Sequence, residues 1–380
     1  MSEEHILTML DKKNNNRVVI AMSGGVDSSV SAALLRDQGY DVIGVSLQLY
    51  DPVPRDAATK TKTCCSLDDV MDAARVAKKL GIPFEVLDLR KEFRELVVAD
   101  FITEYAAGRT PNPCIRCNER IKFELLLEKA REMGAERLAT GHYARITVDS
   151  NGTWRLLKGI DPMKDQSYFL SRMTQTQLAH ACFPLGGMTK SQVVQLAKDL
   201  ELEPVHHGES QDICFIKGRT YGEFLANQEG FVSSSGPIAT VGGKIIGEHP
   251  GLHLFTIGQR RGINCPAAQP YYVVRLDPKA NMLVVGFKSD LLVSSCGVSD
   301  INWITGPPAF PARVYTRVRY RSEAVCSTLI QTTDGVTVVF DVLQPSVTPG
   351  QGAVFYREDN EVLGGGWICE DLKQRARSSS

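Results

Sequence analysis

The run Ser23-Gly24-Gly25-Val26-Asp27-Ser28 constrains this chain more than any other feature. It follows the apolar, β-branched stretch Arg17–Met22, which reads as a buried strand. It precedes Ser29–Gln38, where Val30, Ala33 and Leu34 fall on one helical stripe. Two adjacent glycines between a strand and a helix let the backbone pass close to a bulky anion. The free N–H groups of the first helical turn, at the positive end of the helix dipole, then point at that anion. Ser23, Ser28 and Ser29 add hydroxyl donors. The result is a phosphate cradle without the lysine of a Walker loop. The competing reading is a plain glycine turn with a serine cap.

This strand–SGGxDS–helix unit resembles the pyrophosphate loop (PP-loop) of ATP pyrophosphatases, which split ATP into AMP and pyrophosphate. The surrounding pattern supports an α/β fold. Strands are expected at Arg17–Met22, Asp41–Leu49, Phe84–Asp88 and Arg137–Thr140, and helices at Ser29–Gln38, Leu67–Leu80, Phe93–Ala107 and Glu119–Met133. Gly39, Gly81 and Gly134 stand where helix C-cap glycines belong. Such alternation implies a parallel sheet covered by helices, with ligands at the carboxyl ends of its strands. The Ser23 loop and Thr140-Gly141-His142-Tyr143 both lie at such ends. The segment Ala144–Gly230 mixes a hairpin around Asn151-Gly152 with helices such as Ser191–Leu200. After Pro237, strand-like runs at Tyr271–Leu276, Met282–Val285, Ala312–Tyr320, Val336–Val342 and Gly352–Tyr356 imply an all-β barrel or sandwich. The expected division is 1–143, 144–232 and 233–380.

Net charge is −1, so a nucleic-acid partner needs local positive patches. The 10 cysteines sit in a core-forming chain without secretory features, which favours thiol or metal chemistry in a reducing cytosol over a disulfide framework. No apolar run approaches the ~18 residues of a membrane span. Glu3, Glu4 and Asp11 argue against a transit peptide. Cys182, Cys265, Cys296, Cys326 and Cys369 read as small buried hydrophobes.

Four further segments carry chemistry. In Asn112-Pro113-Cys114-Ile115-Arg116-Cys117-Asn118, a thiol just before a helix, near Arg116 and Arg120, is expected to have a lowered pKa. The alternative there is half a zinc site, but Cys64-Cys65 is adjacent rather than spaced and completes no set. Cys214 lies in Asp212-Ile213-Cys214-Phe215-Ile216 after the polar His206-His207-Gly208-Glu209, a setting unlike a core strand. Lys164-Asp165-Gln166-Ser167-Tyr168 taken alone reads as a capped helix start on a solvated face. As a strand, Arg313–Arg321 would show Arg313, Tyr315, Arg317, Arg319 and Arg321 on one face, suited to an RNA backbone. A charged barrel exterior balanced by nearby acids is the other reading. Gln259-Arg260-Arg261-Gly262 adds a basic turn.

Together these motifs resemble the tRNA-specific 2-thiouridylase family. The matching pieces are Ala21–Ser29, Arg109–Phe123, Thr140–Arg145, Lys164–Leu170, Asp212–Ile216, Gly258–Gly262, Arg317–Arg321, Val347–Gln351 and Leu363–Ile368, in order over nearly the whole chain. The resemblance implies ATP-dependent replacement of oxygen by sulfur at C2 of the wobble uridine (position 34) of tRNA. It implies an N-terminal parallel sheet of adenine-nucleotide α-hydrolase type, a small mixed central domain and a C-terminal β-barrel. By this likeness Ala21, Met22, Ser23, Gly24, Gly25, Val26, Asp27, Ser28, Leu47 and Gly141 hold ATP, with Mg²⁺ offsetting phosphate charge. Cys214 carries a persulfide sulfur, and Cys117 is the second catalytic thiol, pairing with Cys214 as a disulfide when sulfur is released. Asn112, Pro113 and Cys114 meet the target base. His142, Lys164, Asp165, Gln166, Arg319, Tyr320 and Gln351 contact tRNA. The partners implied are tRNA and a persulfide carrier or sulfide, with no membrane.

One departure matters. Many family members have Asp where this chain has Cys114, and that Asp is a candidate general acid/base. A thiol cannot copy a carboxylate, so proton transfer falls to another group or to water. The other consequence is that Cys114, Cys117 and Cys214 supply three thiolates for a 4Fe–4S cluster whose fourth iron would carry sulfide. The nucleotide loop alone also fits another ATP pyrophosphatase, such as an amide-forming synthetase. A noncatalytic RNA-binding or redox-sensing protein is the reading from a different class.

Overall fold

The computed structural model describes residues 16–51, 67–202, 213–216 and 220–369. Cys64-Cys65, the polar His206–Glu209 stretch and Asp212 lie outside the described residues. Two compact units are present.

The first unit is built on a parallel sheet. β1 (Arg17–Ala21), β2 (Asp41–Gln48), β3 (Phe84–Asp88), β4 (Arg137–Ala139) and β7 (Ala181–Cys182) lie in the order β3-β2-β1-β4-β7. Val18, Val19 and Ile20 are buried whichever face they point to. This is why β1 reads as a continuous apolar run rather than an alternating one. α1 (Val26–Asp37) packs against α2 (Leu67–Leu80) and α3 (Lys190–Asp199). One core joins Val18, Ile20, Val30, Ala33, Ala73, Ala77 and Val193. Gly39, Gly81 and Gly134 all have positive φ just after their helices, as expected. Strand order reverses at β1, whose neighbours are β2 on one side and β4 on the other. The loops leaving β1 and β4 therefore open at the switch point where open α/β sheets bind ligands. The hairpin of β5 (Ala144–Val148) and β6 (Trp154–Lys158) belongs to this unit, and β6 pairs with Glu361 and Val362.

The second unit contains a small mixed sheet and a barrel. β8 (Gly236–Thr240), β9 (Ile245–His249), β10 (Tyr272–Asp277) and β11 (Met282–Gly286) order as β10-β11-β8-β9, with only β11–β8 parallel. The barrel strands are β12 (Leu292–Trp303), β13 (Ala312–Arg317), β14 (Val325–Thr332), β15 (Gly335–Pro345), β16 (Gly352–Tyr356) and β17 (Glu361–Cys369). Their order is β12-β15-β14-β13-β16-β17, and β12 also pairs with β17. These six strands thus close into a barrel. Val298, Val314, Leu329, Val338, Phe340 and Phe355 fill it. No helix among the described residues is long and apolar enough to cross a membrane.

Three expectations are corrected. The helices set at Phe93–Ala107 and Glu119–Met133 begin earlier, at Arg90 and Pro113, each running through a π-helical stretch. Proline suits a first helical position, where its missing N–H costs nothing. β13 stops at Arg317, so Arg313–Arg321 is not one strand. Arg317 donates to the carbonyls of Tyr320 and Ser322, and Ser322 N donates to Arg319 O, which turns the chain. Arg313 donates to both carboxylate oxygens of Asp341 at 2.8 and 2.5 Å, the balanced exterior pair of the competing reading. Substituting Arg313→Ala is therefore expected to leave the dissociation constant for tRNA within about twofold of the parent, since a satisfied surface ion pair offers little to a phosphate. Filter binding checks it. Finally, Asp165, Ser167, Tyr168 and Leu170 are buried, so Lys164–Leu170 is an internal brace and not a solvated helix start.

Candidate active site

The loop after β1 is a tight glycine turn braced by its own serines. Gly24 has φ +76°, and a side chain there would run into the backbone carbonyl of Asp69. Only glycine satisfies both constraints. Ser28 Oγ accepts from Ser23 N at 3.2 Å and donates to Gly25 O at 3.1 Å, fixing the turn. Ser29 Oγ donates to Gly25 O at 2.9 Å. A Cβ on Gly141 would stand 3.0 Å from Asp27 C and Ser28 N, so the loop after β4 is seated directly on the first turn of α1. Leu47 is buried at the carboxyl end of β2, paired with Leu87. Ala21 and Met22 enter the loop, with Met22 N donating to Val45 O.

Sequence reasoning missed the residue facing Asp27. Lys190 Nζ donates to Asp27 Oδ1 at 2.7 Å and to Oδ2 at 2.8 Å, from 163 positions away. Tyr143 OH donates to Oδ1 at 2.7 Å. The cation absent from the loop itself is thus supplied by α3. A weak signal existed. Lys190 is the first residue of that helix, the end whose dipole disfavours a cation, so an anionic partner was to be expected. Gln166 holds Tyr143 in place. Its N donates to Tyr143 O at 2.9 Å, and its Oε1 accepts from Tyr143 N at 3.1 Å. Asp165 Oδ1 accepts from Gly159 N and Ser167 N at 3.2 and 3.0 Å. Lys164 is half-buried.

The thiols come next. Cys114 is exposed on the first turn of the helix Pro113–Arg116, and Cys117 follows half-buried at the start of a π-helical run to Leu126. The expected lowering of the Cys117 pKa is corrected. The thiol lies inside the helical run rather than before it, and burial pushes it up, opposed by the Lys122 ammonium. The arginines expected to help are engaged elsewhere, Arg116 with Glu119 and Arg120 with Glu124. Cys214 lies in a turn closed by Ile216 N donating to Ile213 O at 3.0 Å. Its neighbour Phe215 meets Phe93 edge-on, with ring centroids 5.7 Å apart. The short helix Arg90–Phe93 also packs against Cys117–Leu126. Cys117 is a free thiol.

Among the described residues no three His, Cys, Asp or Glu side chains gather to hold a metal. Cys114, Cys117 and Cys214 therefore do not fit a 4Fe–4S cluster as arranged. His142 is buried, with Nδ1 2.7 Å from Thr140 Oγ1. Burial, aided by the Lys122 charge, holds it neutral well below the usual histidine range. In the second unit, Asn112 and Pro113 are buried. Arg319 Nη2 donates to Ile257 O and Thr348 Oγ1 at 3.1 and 2.5 Å. Tyr320 lies 5.4 Å beneath the Arg317 guanidinium. Gln351 Nε2 donates to Thr110 O and Pro111 O, each at 3.0 Å.

Comparison with known proteins agrees with this architecture. Residues 16–218 match the model described as tRNA methyl transferase HUP domain, 222–287 the tRNA methyl transferase PRC-barrel domain, and 293–368 the aminomethyltransferase beta-barrel domain. The chain is 48% identical over 362 residues to the tRNA-specific 2-thiouridylase MnmA of Geobacter metallireducens, covering 94% of this chain and 98% of that protein. It is 47% identical over 363 residues to the same enzyme of Geotalea uraniireducens, covering 95% and 96%. Among solved structures, the U34-tRNA thiolase NcsA from Methanococcus maripaludis, described with its [4Fe-4S] cluster, aligns over 52% of this chain and 61% of that one. Identity there is 19% and the TM-score 0.33, a likeness too slight to bear on the thiols here.

Proposed function

The chain belongs to the tRNA-specific 2-thiouridylase family, and from that premise we propose how its residues replace the C2 oxygen of the wobble uridine (position 34) of tRNA by sulfur. The enzyme is an ATP-dependent tRNA sulfurtransferase. The domain descriptions speak of methyl transfer, yet a phosphate cradle and cysteine thiols serve thiolation. A uridine carbonyl oxygen is a poor leaving group. Its attack on the α-phosphorus of ATP expels pyrophosphate and makes the oxygen part of AMP, a stable leaving group. The Ser23–Ser28 loop holds the phosphates, with ATP entering as its Mg²⁺ salt. Lys190 supplies the positive charge, reached from its seat on Asp27. The Asp27–Lys190–Tyr143 arrangement on a glycine cradle is the observation that carries this reading.

Sulfur follows as a persulfide on Cys214: the Cys214 thiolate attacks the outer sulfur of a carrier persulfide, and the carrier's thiolate leaves with the bonding pair. The outer sulfur on Cys214 attacks C2 and AMP leaves with the bonding pair. The Cys117 thiolate then attacks the inner sulfur of Cys214, releasing 2-thiouridine and forming a Cys117–Cys214 disulfide. An external thiol reductant returns both cysteines to the free state. The base must leave the anticodon stack to be reached. Asn112–Cys114 meet it. Cys114 is exposed but carries no carboxylate, so water transfers the proton that the family's Asp would handle. No step runs through an iron–sulfur cluster.

Anaerobic purification with iron and sulfide analysis, followed by thiolation of unmodified tRNA with ATP and a persulfide donor, tests the reading. The expected result is colourless, iron-free protein that forms 2-thiouridine and one AMP per sulfur. Activity that tracks bound iron would replace the persulfide route. AMP formation with an amine acceptor and no tRNA would point to an amide-forming synthetase.

A further inference from the structure

Cys117 opens the π-helical run that ends at Leu126. A π-helix pairs residue i with residue i+5, so a five-residue step comes back near the face it left. In an α-helix the same step lands about 140° round the axis. The wider turn therefore sets Lys122 on the Cys117 face, where α-helical winding would carry it off. Lys122 is half-buried, and among the described residues its ammonium has no hydrogen-bond or ion-pair partner. Its charge acts on the Cys117 thiol and on buried His142. The same run meets the loop after β4, with the Phe123 and His142 rings 6.2 Å apart, centroid to centroid. The other charges around Cys117 are taken. Arg116 and Arg172 share the two carboxylate oxygens of Glu119 at 3.1 and 2.8 Å, and Arg120 pairs with Glu124 at 3.2 Å. On the helix Arg90–Phe93, which packs against the run, Arg90 is held by Asp88 and Asp51, Lys91 is exposed and Glu92 acts on Lys129. Ser167–Leu170 also packs there, and its one titratable group is the buried phenol of Tyr168. Downstream, Lys129 pairs with Glu132, while Glu128 and Arg131 are exposed. A lysine half-buried without a counter-ion is costly unless an anion forms beside it. Cys117 is the anion-forming group on its face.

We propose that Lys122 is a positioning residue that acts through Cys117: its ammonium, brought round by the π-helical turn, holds the negative charge that Cys117 acquires when its proton leaves to solvent. The thiolate so held is the form that attacks the inner sulfur of Cys214. The inference rests on the function proposed above, and its first readout needs neither tRNA nor ATP. Iodoacetamide reacts with the thiolate and not the thiol, so the pH profile of Cys117 labelling reports the charge on sulfur.

The test uses the full-length protein with Lys122→Met, which keeps the length of the side chain without its charge, and Lys122→Arg, which keeps the charge. Cys117 labelling is followed by peptide mass spectrometry across the alkaline range. In Met the profile is expected to move up by about one pH unit, so that labelling at about pH 8 falls about 10-fold. Arg is expected to stay within about threefold of the parent. Single-turnover 2-thiouridine formation at the same pH should fall about 10-fold in Met, while tRNA-stimulated pyrophosphate release, which precedes the thiol steps, stays within about twofold. A profile unchanged in Met, or shifted equally in Met and Arg, would overturn the proposal. Slower pyrophosphate release with the labelling profile unchanged would overturn it in favour of a contact to the nucleotide's phosphate. Should Cys117 resist the reagent, the ultraviolet thiolate absorbance of each protein less that of its Cys117→Ser counterpart gives the same profile. If Met does not fold, Lys122→Gln, checked by its melting temperature, takes its place. A protein whose Cys117 profile depends on Lys122 as described but that thiolates no tRNA would sink the proposed function and leave this charge pairing standing.

Discussion

Replacing either Cys117 or Cys214 with serine is expected to abolish 2-thiouridine formation, by about 1000-fold or more, while leaving the dissociation constant for tRNA within about twofold. A hydroxyl is nearly the size of a thiol, so packing is kept. It neither carries a persulfide nor leaves from sulfur. The two variants should differ in where they stop. Cys214→Ser accepts no sulfur, whereas Cys117→Ser traps sulfur on the base as a mixed disulfide with Cys214, visible by gel shift and reversed by reductant. The raised pKa of Cys117 adds a pH signature. Its thiolate is the reacting form, and burial disfavours that form. The single-turnover rate should therefore keep rising as pH passes the ordinary thiol value of 9.0 instead of levelling below it. Cys114→Ser should be milder, because an exposed thiol at that position has no covalent role in the sequence of steps. Full activity of either Cys117→Ser or Cys214→Ser would remove the two-thiol mechanism outright.

The second large effect belongs to Lys190. In Lys190→Met the carboxylate of Asp27 keeps Tyr143 but loses its cation, and the phosphate cradle loses the only positive side chain the structure brings to Asp27 among the described residues. tRNA-stimulated AMP formation is expected to drop about 100-fold, or ~2.7 kcal/mol of transition-state stabilisation, typical for one preorganised donor at developing charge. Lys190→Arg should recover part of it. The folding stability of Lys190→Met should change little, because Asp27 and Lys190 remain 34% and 23% exposed and solvent screens the pair. The informative comparison is turnover against ATP KM. Charge placed for the transition state lowers kcat, whereas a mere counter-ion for bound ATP raises KM. Parental AMP formation by Lys190→Met would show that Lys190 is only a strut for Asp27.

Much of this protein was legible before its coordinates. β1, the glycine loop and α1 are encoded within about twenty consecutive residues, by apolar burial, a positive-φ glycine and a helix end. The C-terminal strands were legible as strand-like runs, but a barrel could not be told from a sandwich until the β12–β17 pairing closed the sheet. Local rules misled where a distant group intervened. Cys117 looked activated by Arg116 and Arg120, but Glu119 and Glu124 take those arginines and burial takes the thiol the other way. Arg313–Arg321 alternated like a strand, but the Arg317 guanidinium folds back on the carbonyls of Tyr320 and Ser322 and ends it. Lys164–Leu170 looked solvated because its charge is read one residue at a time, whereas Asp165 spends its carboxylate on two internal amides.

The chain alone therefore pointed to the segment proposed to cradle phosphate and to the thiols proposed to react, since each reading depends on neighbours a few residues away. Tertiary structure alone decided that Lys190 meets Asp27 across 163 positions and that Gln351 holds Thr110 and Pro111 across more than 200. The physical reason is that an ion pair or hydrogen bond is set by atoms within about 3 Å, and no periodicity in sequence records which remote elements the packing brings that close.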